Sequence, residues 1–75
     1  MSKTWSGKDV IRILEHEFGF RVVSQKGSHV KLKKQTARGA HITIVPLHDE
    51  LAVGTLHSAL HLAGIDLETF KRVAQ

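Results

Sequence analysis

Six histidines punctuate this 75-residue chain, and His29 stands in the setting best suited to proton transfer. It follows a Gly27-Ser28 turn and opens a run, His29 to Lys34, in which Val30 and Leu32 alternate with polar residues. Alternation on a strand sends Val30 and Leu32 one way and His29, Lys31 and Lys33 the other. An imidazole titrates near neutral pH and can take or give a proton there. Neighbouring ammonium groups can stabilise charge developing on phosphoryl oxygens. Gly27 lets the backbone approach a phosphate closely, Ser28 adds a hydroxyl donor, and Lys26 adds a further cation. The chemistry that fits is phosphodiester cleavage. On pattern alone, the same residues also fit an inert exposed histidine beside lysines.

The other histidines read differently. His41 begins a second alternating run on its outward side and is a secondary candidate for the basic face, as is Lys34. His48 is a secondary candidate for proton transfer if its loop folds back to the sheet. His57 and His61 have the i, i+4 spacing of a helical zinc pair, but no third ligand follows at a fixed spacing. They read as a polar helix flank, so no metal and no cofactor are expected. His16 is a polar helix position. Trp5 reads as a core residue, with base stacking as the alternative.

The charge distribution narrows the choice. The chain carries 11 Lys+Arg against 7 Asp+Glu, a formal charge of +4. Residues 18–48 hold six basic residues (Arg21, Lys26, Lys31, Lys33, Lys34, Arg38) and no acid, whereas the remainder has five basic and seven acidic. A basic middle between mildly acidic ends fits a surface that tracks phosphates. It also fits a lysine-rich edge that keeps strands apart, or a patch that meets an acidic protein. The hydrophobic fraction of 41% is that of a globular domain. The absence of cysteine excludes a disulfide framework and fits a cytoplasmic setting. No apolar run approaches the roughly 18 residues of a membrane span, so no membrane partner is expected. One domain over residues 1–75 is the expectation.

The elements that must position these residues can be read in order. Ser6 is an N-cap, Asp9 completes a capping-box pattern, and Trp5 with Val10 has the spacing of a hydrophobic staple. Val10, Ile11, Leu14 and Phe18 form a helical stripe, which predicts a helix over 7–18 ended by Gly19, with Phe20 folding back on Leu14. Strands are predicted over 20–26, 29–34 and 41–45, with 35–40 as a loop, Ile42 and Ile44 facing inward, and Pro46 as the stop. Leu56, Ala59, Leu60 and Ala63 form a second helical stripe closed by Gly64. Asp66 caps a further turn or two through Leu67, Phe70 and Val73. The fold class is α+β: a three-stranded antiparallel meander with both main helices on one face and the other face wet.

The same residues carry a resemblance. Phe18-Gly19-Phe20, the segment KGSHVKLK at 26–33 with its Gly-Ser-His, Val45-Pro46-Leu47-His48, Gly54-Thr55-Leu56 and Ala63-Gly64-Ile65 follow one another as in the HicA (YcfA-like) family. That family comprises toxins of bacterial type II toxin–antitoxin systems, and the resemblance spans nearly the whole chain. It implies a fold similar to double-stranded-RNA-binding domains, in α-β-β-β-α order. It also implies a ribosome-independent mRNA interferase, an endoribonuclease neutralised by a HicB-type antitoxin. His29 takes the position of the family's catalytic histidine, and mRNA replaces any small-molecule substrate. RNA supplies its own nucleophile, the 2′-hydroxyl, so His29 need only act as base toward it or as acid toward the departing 5′-oxygen. A non-catalytic RNA-binding module of the same fold is the alternative.

Overall fold

The computed structural model describes residues 3–74. Helix α1 (Gly7–Glu17) starts where Ser6 can satisfy an otherwise orphaned amide: the Asp9 N–H donates to its hydroxyl at 3.0 Å. Only this half of the capping box forms. The Asp9 carboxylate accepts instead from the Arg12 guanidinium at 3.1 Å. Val10, Ile11 and Leu14 are buried along one side, while Phe18 lies just past the helix as its C-cap. The chain then turns at Gly19, and the Phe20 N–H donates back to the Leu14 carbonyl at 3.0 Å.

Strands β1 (Arg21–Lys26), β2 (His29–Thr36) and β3 (Gly39–Pro46) form one antiparallel sheet in the order β1-β2-β3. Both hairpins close through two residues. The polar run at 35–40, expected to be a loop, is instead the outer end of β2 and the start of β3, joined by Ala37 and Arg38. The Thr36 hydroxyl holds that turn. It donates to the Gly39 carbonyl at 2.8 Å and accepts from the Arg38 N–H at 3.2 Å.

This short turn fixes the register of β3 and reverses its expected facing. Lys33 pairs with Ile42 and Lys31 with Ile44, so both isoleucines share the outward face with the lysines. They are 44% and 46% exposed. Thr43 and Val45 point inward instead, opposite Leu32 and Val30. Burying a hydroxyl is tolerable only with a partner. The Thr43 Oγ1 donates to the Ala59 carbonyl of α2 (Val53–Ala63) at 2.7 Å.

Asp66 caps α3 (Leu67–Ala74), accepting from the Thr69 N–H at 2.8 Å. This brings Phe70 to the centre of the core, fully buried, with Trp5 edge-on at 5.2 Å and Phe18 stacked at 6.4 Å. Trp5 is thus a core residue, and the Lys3 ammonium lies 4.5 Å from its ring centroid. The buried stripe of α2 (Leu56, Ala59, Leu60, Ala63) joins Val30, Leu32 and Val45 in one cluster. The fold is α+β in α-β-β-β-α-α order, with the core on one side of the sheet.

Candidate functional site

The turn that presents His29 is built from Gly27 and Ser28. Gly27 adopts φ 59°, a left-handed value that two-residue hairpins require at this position and that glycine meets without strain. The Gln25 side chain donates to the Gly27 carbonyl at 3.0 Å. On the other side, the Ser28 carbonyl accepts from the Leu47 N–H at 2.7 Å, which ties the turn to the segment after β3. That segment is in turn pinned to α1, because the Gly7 N–H donates to the His48 carbonyl at 2.9 Å. Gly7 is buried against the backbone of Pro46 and Leu47, where a Cβ would overlap the Pro46 carbonyl. The start of α1 and the end of β3 therefore fix the height of the turn.

His29 itself lies between Lys26 on β1 and Pro46 on β3, its directly opposed partners. A depression of about 420 Å³ in the open sheet face is lined by Ser24, Lys26, His29, Lys31 and Ile44. Three residues expected from sequence thus come together: Lys26, His29 and Lys31. Lys33 follows on the same face two residues further along β2, opposite Arg21. Gly27 and Ser28, the turn that joins Lys26 to His29, do not line the depression. Among the described residues, the one ion pair is Arg12–Asp9. The cations around His29 have no carboxylate partner there, so they remain free for an anionic ligand.

Two members of this face, Ser24 and Ile44, lie outside the sequence expectation, and Arg21 of the basic stretch joins it through its pairing with Lys33. A bulge at Val23 shifts the register between Val22 and Ser24. Val22 opposes Leu32 on the helix side, while Ser24 and Lys26 oppose Lys31 and His29 on the open side. The bulge flips the facing of half the strand.

The secondary candidates lie elsewhere. Lys34 pairs with His41, and the pair sits on the helix side of the sheet. This corrects the outward placement expected for His41, because the register that turns Ile42 outward turns His41 inward. Its ring lies against Gly64, where a Cβ would come within 2.8 Å of it. Both residues line a separate depression of about 230 Å³ with Phe18, Gly64 and Asp66. His48 is exposed two residues beyond Pro46 and does not line the depression beside His29. His57 and His61 are exposed on α2. Among the described residues, no three His, Asp or Glu side chains gather as a metal-binding group.

A family model described as the HicA toxin of bacterial toxin–antitoxin systems matches residues 7–65. The chain belongs to the HicA toxin family. The match runs from the first residue of α1 through all three strands to the residue after the C-cap of α2. It therefore includes His29 and every cation of the open face. As a HicA-family toxin, the protein is one half of a toxin–antitoxin pair. The comparison with curated proteins returns no match. Among the described residues of this HicA-family chain, no helix is long and apolar enough to cross a membrane.

Proposed function

We propose that this HicA-family toxin is a ribosome-independent endoribonuclease that cleaves mRNA in the cytoplasm, with His29 as its catalytic residue. We further propose that a HicB-type antitoxin neutralises it, and that its fold is similar to double-stranded-RNA-binding domains. The observation that carries the reading is the exposed His29 grouped with Lys26 and Lys31 on a face whose cations have no carboxylate partner among the described residues. Family membership supports it, since HicA toxins are generally mRNA-cleaving.

The chemistry needs few parts. The 2′-oxygen of the nucleotide attacks the adjacent phosphorus as its proton leaves. The bond from phosphorus to the 5′-oxygen breaks, and that oxygen takes up a proton. The products are a 2′,3′-cyclic phosphate and a 5′-hydroxyl. His29 either removes the first proton or supplies the second. Lys26 and Lys31 hold the phosphate and stabilise its added charge, while Lys33 and Arg21 extend the cationic track. The residues lining the depression include no carboxylate to hold a divalent cation, so the proposed reaction is metal-independent. The antitoxin is proposed to cover this face with carboxylates directed at Lys26, Lys31 and Lys33.

Induction of the isolated gene and incubation of the purified protein with mRNA in EDTA test the reading. Growth arrest and cleavage by the native protein, both absent in His29→Ala, are expected. RNA binding without cleavage would leave the non-catalytic RNA-binding module in its place.

A further inference from the structure

The open face is not uniformly polar. Ile42 and Ile44 occupy successive outward positions on β3, each about half exposed, and each directly opposes a lysine of β2. Single exposed apolar residues are ordinary. Two on one face form an apolar strip with a row of cations along its length, and Ile44 lines the depression beside His29.

We propose that Ile44, continued by Ile42, is a platform for an unstacked nucleobase next to the scissile phosphate, which makes single-stranded RNA the substrate. The inference rests on the nuclease reading above and adds the substrate's form and the residue that recognises it. In an A-form duplex, the base faces are stacked away, and the accessible surface offers 2′-hydroxyls, base edges and phosphates. An exposed isoleucine beside His29 gains little from such a surface. A single strand offers both groups the face provides for: phosphates for Lys26, Lys31 and Lys33, and an apolar base face for Ile44. Single strands are held without base-specific hydrogen bonds by a cationic groove beside side chains, aromatic in the common cases, that meet the base faces; Ile44 offers an aliphatic surface of the same kind. An unstacked nucleotide is also free to rotate its 2′-hydroxyl into line with the departing oxygen, which duplex geometry opposes.

The test measures binding of a short mixed-sequence RNA, single-stranded or annealed to its complement, to His29→Ala protein, which leaves the RNA intact. Adding Ile44→Thr, which keeps the β-branched shape, is expected to weaken single-strand binding roughly 4- to 15-fold, for the one to two methylene-sized groups lost from the contact. Adding Ile44→Phe is expected to retain or tighten it, which a variant that merely disturbed the sheet would not do. Duplex binding should respond to neither. With His29 intact, Ile44→Thr should raise KM and leave kcat within a few-fold. An abasic nucleotide at one position of the RNA should erase the effect of Ile44→Thr on binding. Equal single-strand binding by all three proteins, or an equal effect on the duplex, overturns the platform. So does an Ile44→Thr effect confined to antitoxin binding, which would assign the strip to a protein partner. Failure of the native protein to cleave or bind any RNA would instead remove the nuclease reading itself.

Discussion

Gly7→Ala should destabilise the protein even though alanine is the better helix former. The added Cβ would overlap the Pro46 carbonyl oxygen and crowd the Leu47 Cα at 3.1 Å. Both obstacles are backbone, so no side chain can swing aside. Overpacking of this kind costs about 1–3 kcal/mol. Separating α1 from β3 would also stretch the Gly7 to His48 hydrogen bond, adding about 1 kcal/mol. The gain in helix propensity is at most about 1 kcal/mol. The net loss is about 1–3 kcal/mol, against a total of about 4–11 kcal/mol for a domain of this size. Melting temperature should fall by about 4–8 °C per kcal/mol, and the urea midpoint should fall without a change in slope. Gly54→Ala is the matched control. Gly54 lies in α2 with nothing within 4 Å of the built Cβ, so its replacement should stabilise by about 0.5–1 kcal/mol. A Gly7→Ala protein as stable as its parent, or two glycine variants with the same sign, would refute the close approach.

Three further outcomes follow from other contacts. Thr43→Val keeps the shape but removes the donor to the Ala59 carbonyl, and chemical denaturation should record a loss of about 0.5–1.5 kcal/mol. Lys31→Ala or Lys33→Ala should each lower the log–log salt slope of RNA binding by about 0.7–0.9, whereas Lys34→Ala, on the opposite side of the sheet, should leave the slope unchanged. The Thr69 N–H holds the Asp66 carboxyl below its ordinary pKa. Its contribution is therefore present above about pH 4 and lost as pH falls through the depressed folded value. The stability gap between the native protein and Asp66→Ala, followed by urea midpoints, should narrow in that direction.

What sequence revealed and what it hid divide along the range of the interactions. Ser6, Gly19, Gly64 and Asp66 act within a turn of their own helices, and each marks the boundary its residue type suggests. The facing of β2 was equally legible, because Val30 and Leu32 alternate with charged and polar neighbours. In β3, however, Ile42, Thr43, Ile44 and Val45 are all compatible with burial. The choice between the two alternating sets falls to a two-residue turn at Ala37 and Arg38 that composition disguised as a loop. The bulge at Val23 has no signature of its own in the sequence, so the place of Ser24 beside His29 is not legible there. Gly7 looked like an ordinary first helical residue until the backbone of Pro46 stood against it. Lys26, His29 and Lys31 were recognisable because a glycine turn and clean alternation are local. Ile44 was not, because its place depends on a register set at the far end of the hairpin.

The central claim is that His29 moves a proton in RNA cleavage and is not merely one more contact to RNA. Single-turnover cleavage with protein in excess, in EDTA, compared between native and His29→Ala proteins alongside their RNA affinities, tests it most directly. The prediction is a rate lower by about 10²–10⁴ with affinity changed by only a few-fold, and native products ending in 2′,3′-cyclic phosphate and 5′-hydroxyl. An unchanged rate at saturation, or a loss explained wholly by weaker binding, would contradict it.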